Sequence, residues 1–179
     1  MNVACLILSS LAVFAASACT DTTDPFFETG PNHVHIESEA GDPVGGGKTY
    51  DYTPANATIE VDRFLQVVAL NLWITGADRW TIYLYPPDYN TELLVGSYDP
   101  ALSFGGDPWI ARMAVSKEST SNTCAKASGR FTFQRVEYVP DSKIPSSPHG
   151  VLTAIDATFE QRCNGATGSL RGRIHWRKQ

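Results

Sequence analysis

Phe159-Glu160-Gln161-Arg162-Cys163-Asn164-Gly165, followed by Gly168-Ser169-Leu170-Arg171-Gly172-Arg173-Ile174-His175-Trp176, is the stretch on which the reading of the fold turns. It has the form of a strand end, a glycine turn and a last strand. Leu170, Gly172, Ile174 and Trp176 share one face, because side chains alternate across a strand. Just upstream, Leu152 to Gln161 places Ile155, Ala157 and Phe159 together, with Thr158 and Glu160 opposite, and Cys163 continues the apolar phase.

The same period of two recurs along the body. Val34 and Ile36 alternate with His33, His35 and Glu37, and Trp80, Ile82 and Leu84 alternate with Thr81, Tyr83 and Tyr85. Thr49–Tyr52, Thr58–Val61 and Trp109–Ser116 are further candidates, bounded by Gly, Pro and Asn. Phe64 to Thr75 is the most apolar run and reads as a central strand covered on both faces. Phe131 and Phe133 share a phase that Val136 and Tyr138 reverse, which predicts a bulge near Gln134-Arg135. No segment sustains a helical repeat. Roughly eight to ten short strands predict an all-β, antiparallel β-sandwich of jelly-roll or Ig-like type, with a partly closed β-barrel as the alternative.

Four cysteines define the compartment: Cys5, Cys19, Cys124 and Cys163. Val3 to Ala16 is an apolar run of about 14 residues, shorter than the roughly 20 a spanning helix takes, and has the character of a signal peptide. It lacks the usual preceding Lys or Arg. Cys5 leaves with it, so Cys124 and Cys163 form an even pair suited to a disulfide, the alternative being two buried free thiols. Ala16-Ser17-Ala18-Cys19 resembles a bacterial lipoprotein box, with Ala16 where leucine is usual, and that resemblance implies lipidation of Cys19. Thr20 to Asn32 is polar, acidic and aperiodic, a tether in which Phe26-Phe27 is the one apolar pair and a candidate for docking on the domain. The expected organisation is a signal peptide over 1–18, a tether over 19–32 and a β-sandwich domain over 33–179.

Gly41-Asp42-Pro43-Val44-Gly45-Gly46-Gly47-Lys48, Leu94-Val95-Gly96-Ser97-Tyr98, Cys124, Gly129-Arg130-Phe131, Phe159-Glu160-Gln161-x-Cys163 and Leu170-x-Gly172-x-Ile174 together resemble an uncharacterised bacterial exported β-module of unknown function. The resemblance covers roughly residues 36–176 and implies a β-domain with Cys124 and Cys163 bridged. It supplies no catalytic residues. The Pro140–His149 insert is longer than the corresponding turn of that module.

Function classes narrow from here. Net charge is −5, with Lys and Arg scattered along the 179 residues, so a nucleic-acid partner is not expected. Gly41 to Thr49 lacks the spacing and the strand-to-helix setting of a phosphate loop and reads as a turn. His33 and His35 point the same way on a strand without a third ligand at a telling spacing, so no metal is expected. The scattered aspartates lack calcium-loop spacing and suit turns. No nucleophile elbow or close carboxylate pair is present, so no catalytic residue and no cofactor is assigned. Trp73, Tyr83 and Tyr85 fall opposite Leu72, Ile82 and Leu84. They are either a stacking surface for a sugar or peptide or the face against which a second sheet packs. The expected function is a non-enzymatic, lipid-anchored envelope domain, in the outer membrane or elsewhere in the envelope, that binds a protein or glycan or serves as a structural accessory. The alternatives are a carbohydrate-binding module and a hydrolase whose residues meet only in three dimensions. A periplasmic or secreted location is the alternative to the anchored one.

Overall fold

The computed structural model describes residues 26, 30–62, 69–87, 93–118, 124–140 and 150–179. The described residues form ten strands: β1 (His33–Ser38), β2 (Thr49–Tyr52), β3 (Thr58–Val61), β4 (Leu70–Thr75), β5 (Arg79–Tyr85), β6 (Gly96–Leu102), β7 (Ala111–Lys117), β8 (Ala127–Val139), β9 (Val151–Cys163) and β10 (Leu170–Arg177). They make one sheet in the order β2-β1-β10-β9-β8-β6-β7-β5-β4-β3, nearly closed on itself. The all-β class and the disulfide stand as expected. Of the two architectures the sequence allows, the partly closed barrel is the one adopted, and the sheet is mixed because β6 and β7 run parallel.

Closure explains the alternation. Val34, Ile36, Leu72, Ile82, Leu84, Met113, Phe131, Phe133, Ile155, Ile174 and their neighbours point inward and are buried, so side chains fill the interior. The Phe-x-Gln-x-Cys and Leu-x-Gly-x-Ile patterns acquire a physical reason here. Phe159 on β9 lies opposite Gly172 on β10, and a Cβ at Gly172 would meet the Phe159 ring at 2.3 Å. Glycine at 172 lets a large ring lie flat across the neighbouring strand.

The register shift between Phe133 and Arg135 is the expected bulge, and it returns Val136 and Tyr138 to half-buried positions. One expectation is corrected. The 64–75 run is not a central strand: β4 begins at Leu70 and sits next to the edge strand β3, while 63–68 lie outside the described residues. Strand β6 had no clear alternation because Pro100 interrupts it, and pairing with β8 shifts register between Tyr98 and Ala101 around that residue. The leader, Cys19 and 141–149 likewise lie outside the described residues.

Three devices complete the ring. Cys124, just ahead of β8, is bridged to Cys163 at the end of β9, with Cα atoms 5.3 Å apart. Gln161, fully buried on β9, reaches β7: its Oε1 accepts from Val115 N at 2.8 Å and its Nε2 donates to Val115 O at 3.0 Å. Strand β6 pairs with β7 only at residues 111 and 112, so the amide takes the place of a strand for Val115. The edge strand β2 is tied to the far half of the sheet: Trp80 Nε1 on β5 donates to Tyr52 Oη at 2.8 Å, and Lys117 Nζ on β7 bonds Asp78 at 2.9 Å and Tyr50 Oη at 3.1 Å. Burial works against the Lys117 charge, but the bonds to Asp78 and Tyr50 outweigh it and hold the lysine above its usual range. Burial also pushes the Tyr52 phenol up, and the nearby Asp78 charge adds to it.

Candidate functional site

Tyr83 and Tyr85 project from the outer face of β5, because Trp80, Ile82 and Leu84 take the inner one. No second sheet covers them among the described residues; they sit on the convex wall of the barrel. What meets them is the connection between β6 and β7. Phe104 lies 4.8 Å from Tyr85 at 85° and 6.2 Å from Tyr83 at 84°, and the two tyrosines stand 6.3 Å apart at 90°. The Arg112 guanidinium, on β7 opposite Tyr85, is 5.7 Å from the centroids of both Tyr85 and Phe104. Trp109, in the same connection, is 64% exposed and Phe104 is 42% exposed.

This geometry settles what the rings can offer. Mutually perpendicular rings form an edge-to-face cluster stabilised by their quadrupoles, and they cannot present one flat row. The accessible apolar ring of the cluster is Phe104, with the Arg112 cation beside it, and Trp109 adds a second exposed ring in the same connection. Trp73 is half-buried on β4 and lies opposite Thr81, one step along the sheet from Tyr83, so it borders the cluster. Phe104, Trp109 and Arg112 escaped the sequence reading. Trp109 was assigned to a strand that begins only at Ala111, whereas Gly105-Gly106-Asp107-Pro108 was the available sign of an exposed turn.

Two polar clusters lie on the opposite side of the ring. His33 Nε2 and His35 Nδ1 both meet Asp51 Oδ1, at 2.6 and 3.0 Å, and His35 Nε2 meets Glu37 Oε1 at 3.0 Å. The histidines thus share a face as expected, with carboxylates for partners. Burial works against the Asp51 charge, but the bonds to His33 and His35 outweigh it and hold its carboxyl below the usual range. Among the described residues no group of three or more His, Cys, Asp or Glu is arranged to hold a metal ion.

Next to them, Asp156 and His175 are each 2% exposed on the outer phase of β9 and β10, with His175 Nδ1 2.9 Å from Asp156 Oδ1. Arg177 grips both oxygens of that carboxylate at 2.9 Å, and Arg135 Nε lies 3.3 Å from Oδ2. His175 Nε2 is buried without a hydrogen-bond partner among the described residues. An imidazole oriented by a carboxylate is chemically equipped for proton transfer; here the pair is 2% exposed and ties β10 to β9.

The glycine-rich 41–47 segment is a turn built on a carboxylate. Asp42 accepts from Ser38 Oγ at 2.7 Å, Val44 N at 3.3 Å and Gly45 N at 2.7 Å, which fills the backbone donors a phosphate would need. Beside it, Glu39 accepts from Ser169 N and Ser169 Oγ and pairs with Arg171. The Ser169 backbone bond, then those to Arg171 and the Ser169 hydroxyl, hold the Glu39 pKa down at about 2.

Comparison with protein-family models, curated proteins and solved structures finds no match to this chain.

Proposed function

We propose that the protein is an exported, lipid-anchored domain of a bacterial envelope that works as a binding or structural accessory rather than as an enzyme. The observation that carries this reading is the Cys124–Cys163 bridge. It uses both cysteines of the β-domain, which suits an oxidising compartment. It leaves Cys5 in the leader and Cys19 at the head of the tether, directly behind Ala16-Ser17-Ala18, where lipidation removes an otherwise reactive thiol. The anchor ties the protein to a membrane, and the partner it meets is a protein or a glycan. Intact mass of protein extracted from membranes tests this: the expected result is acyl chains on Cys19. An unmodified, soluble species in the periplasm or medium overturns it.

A second reading, carbohydrate binding, is favoured by Phe104, exposed beside the tyrosine cluster, and by Trp109, exposed in the same connection. Sugars bind through apolar C–H faces laid on aromatic rings, with polar neighbours fixing orientation. Sedimentation with insoluble envelope polysaccharide should retain the protein, and Trp109→Ala should weaken retention about tenfold, the order expected for one lost ring contact. Retention that is unchanged in Trp109→Ala and Phe104→Ala together would remove this reading. A protein partner would then be sought on the same face.

A further inference from the structure

The residues ahead of β1 touch the barrel at two points. Phe26 stacks on His33 with ring centroids 4.4 Å apart and a 31° tilt, and the Arg173 guanidinium lies 5.3 Å from the Phe26 centroid. Asn32 is buried and its Oδ1 accepts from Arg177 N at 2.7 Å. The Phe26 contact lies on the outer face of β1 and β10, and the Asn32 contact is made to the β10 backbone at its end. His175 sits on that face between them, opposite His33 and two residues from Arg173, and it is among the most buried polar groups there. Phe26 and Asn32, the described contacts of this strap, are therefore both held on the wall made by β1 and β10.

We infer that this docked strap turns the β1/β10 wall toward the lipid bilayer and the aromatic Tyr83, Tyr85, Phe104 and Trp109 face away from it. The inference rests on the anchoring at Cys19 proposed above. Seven residues lead from Cys19 to Phe26, at most about 25 Å of extended chain. Fourteen lead from Cys19 to His33, about 50 Å, and a tether free over that length would leave the barrel to tumble. A chain pinned at Phe26 keeps the β1/β10 wall within the shorter reach.

The strand order supplies the other half of the argument. β10 is third and β5 eighth in the sheet order, so half the ring separates them and they lie on opposite walls. Ten strands spaced about 4.8 Å apart put those walls roughly 15–20 Å from each other. With a net charge of −5 the chain has no general attraction to anionic headgroups, so the strap, and not the overall charge, sets the orientation. The surface able to bind a glycan or protein then faces the envelope space rather than the lipid.

The test uses the full chain with its anchor, reconstituted into phosphatidylethanolamine/phosphatidylglycerol vesicles that carry a headgroup-attached quencher. A single fluorophore is placed by Glu37→Cys, on the outer face of β1, or by Ser116→Cys, on the outer face of β7; both positions are exposed. The label at 37 should be quenched about threefold more than the label at 116, given the short reach of the pinned chain. Phe26→Ala should bring the ratio close to one while leaving the melting curve in place. Equal quenching in the unsubstituted strap overturns the inference, as does a ratio that survives Phe26→Ala. Intact mass of the same preparation separates the two levels. Acylated Cys19 with equal quenching overturns only the orientation, whereas unmodified Cys19 overturns the anchoring and the orientation with it.

Discussion

Replacing Gln161 with leucine tests how the barrel is held together. The side chain is buried and bonds both backbone groups of Val115, which has β5 on one side but no strand on the β6 side, where pairing stops at residue 112. Leucine keeps most of the volume but leaves a buried N–H and a buried C=O unsatisfied, at about 1–3 kcal/mol each. The gain in apolar burial offsets part of this, so the net loss expected is about 2–4 kcal/mol. For a domain of this size that corresponds to a melting point lower by roughly 5–15 °C. Urea unfolding followed by circular dichroism measures it directly. Gln161→Glu sharpens the test. A protonated carboxyl has one acceptor and one donor and can meet Val115 N and O as the amide does. Burial raises the folded pKa of such a carboxyl above its unfolded value, so the variant should be close to wild type below about pH 4 and lose stability as pH rises beyond it. Gln161→Leu melting within 0.5 kcal/mol of wild type, or Gln161→Glu showing no extra pH dependence, would refute the reasoning.

Cys163→Ala opens a loop closed over a sequence separation of 39 residues, and loop-closure entropy assigns such a bridge up to about 4 kcal/mol, or roughly 8–16 °C in melting point; melting that is the same with and without reductant would show the bridge to be idle. Tyr52→Phe strands the indole N–H of the buried Trp80 and should lower stability by about 1–3 kcal/mol, read by urea titration, with Tyr83→Phe on the outer wall as a control that changes little. Glu39 has a folded pKa of about 2 against 4.5 for the free group, so its contribution is complete above the unfolded value and is lost as pH falls from there toward 2. Wild type should therefore be more stable than Glu39→Gln near pH 6, and the gap should close by about pH 2–3; a gap that is constant with pH would contradict the assigned bonds.

The candidate surface was only half legible in the sequence. Tyr83 and Tyr85 were readable because strict alternation with Ile82 and Leu84 sends them to the other face whatever the topology. Phe104 and Arg112 were not, since their place over those rings depends on a loop conformation and on β7 pairing with β5, contacts between segments distant in sequence. His175 shows the same limit. Its phase sets it on the face opposite Ile174 and Trp176, yet the arginines and Asp156 gathered from β8, β9 and β10 bury it.

By itself the sequence determined the all-β class, most strand positions, the bulge ahead of Arg135 and the pairing of Cys124 with Cys163. These follow from local period and from counting, which neighbouring residues carry. Tertiary structure alone decided between sandwich and barrel. A strand's alternation is identical whether its inner face meets a second sheet or the far wall of its own, so nothing local separates the two. The deciding contacts are Gln161 with Val115 and Tyr52 with Trp80, single side chains linking β9 to β7 and β2 to β5, which only the folded chain brings within bonding distance.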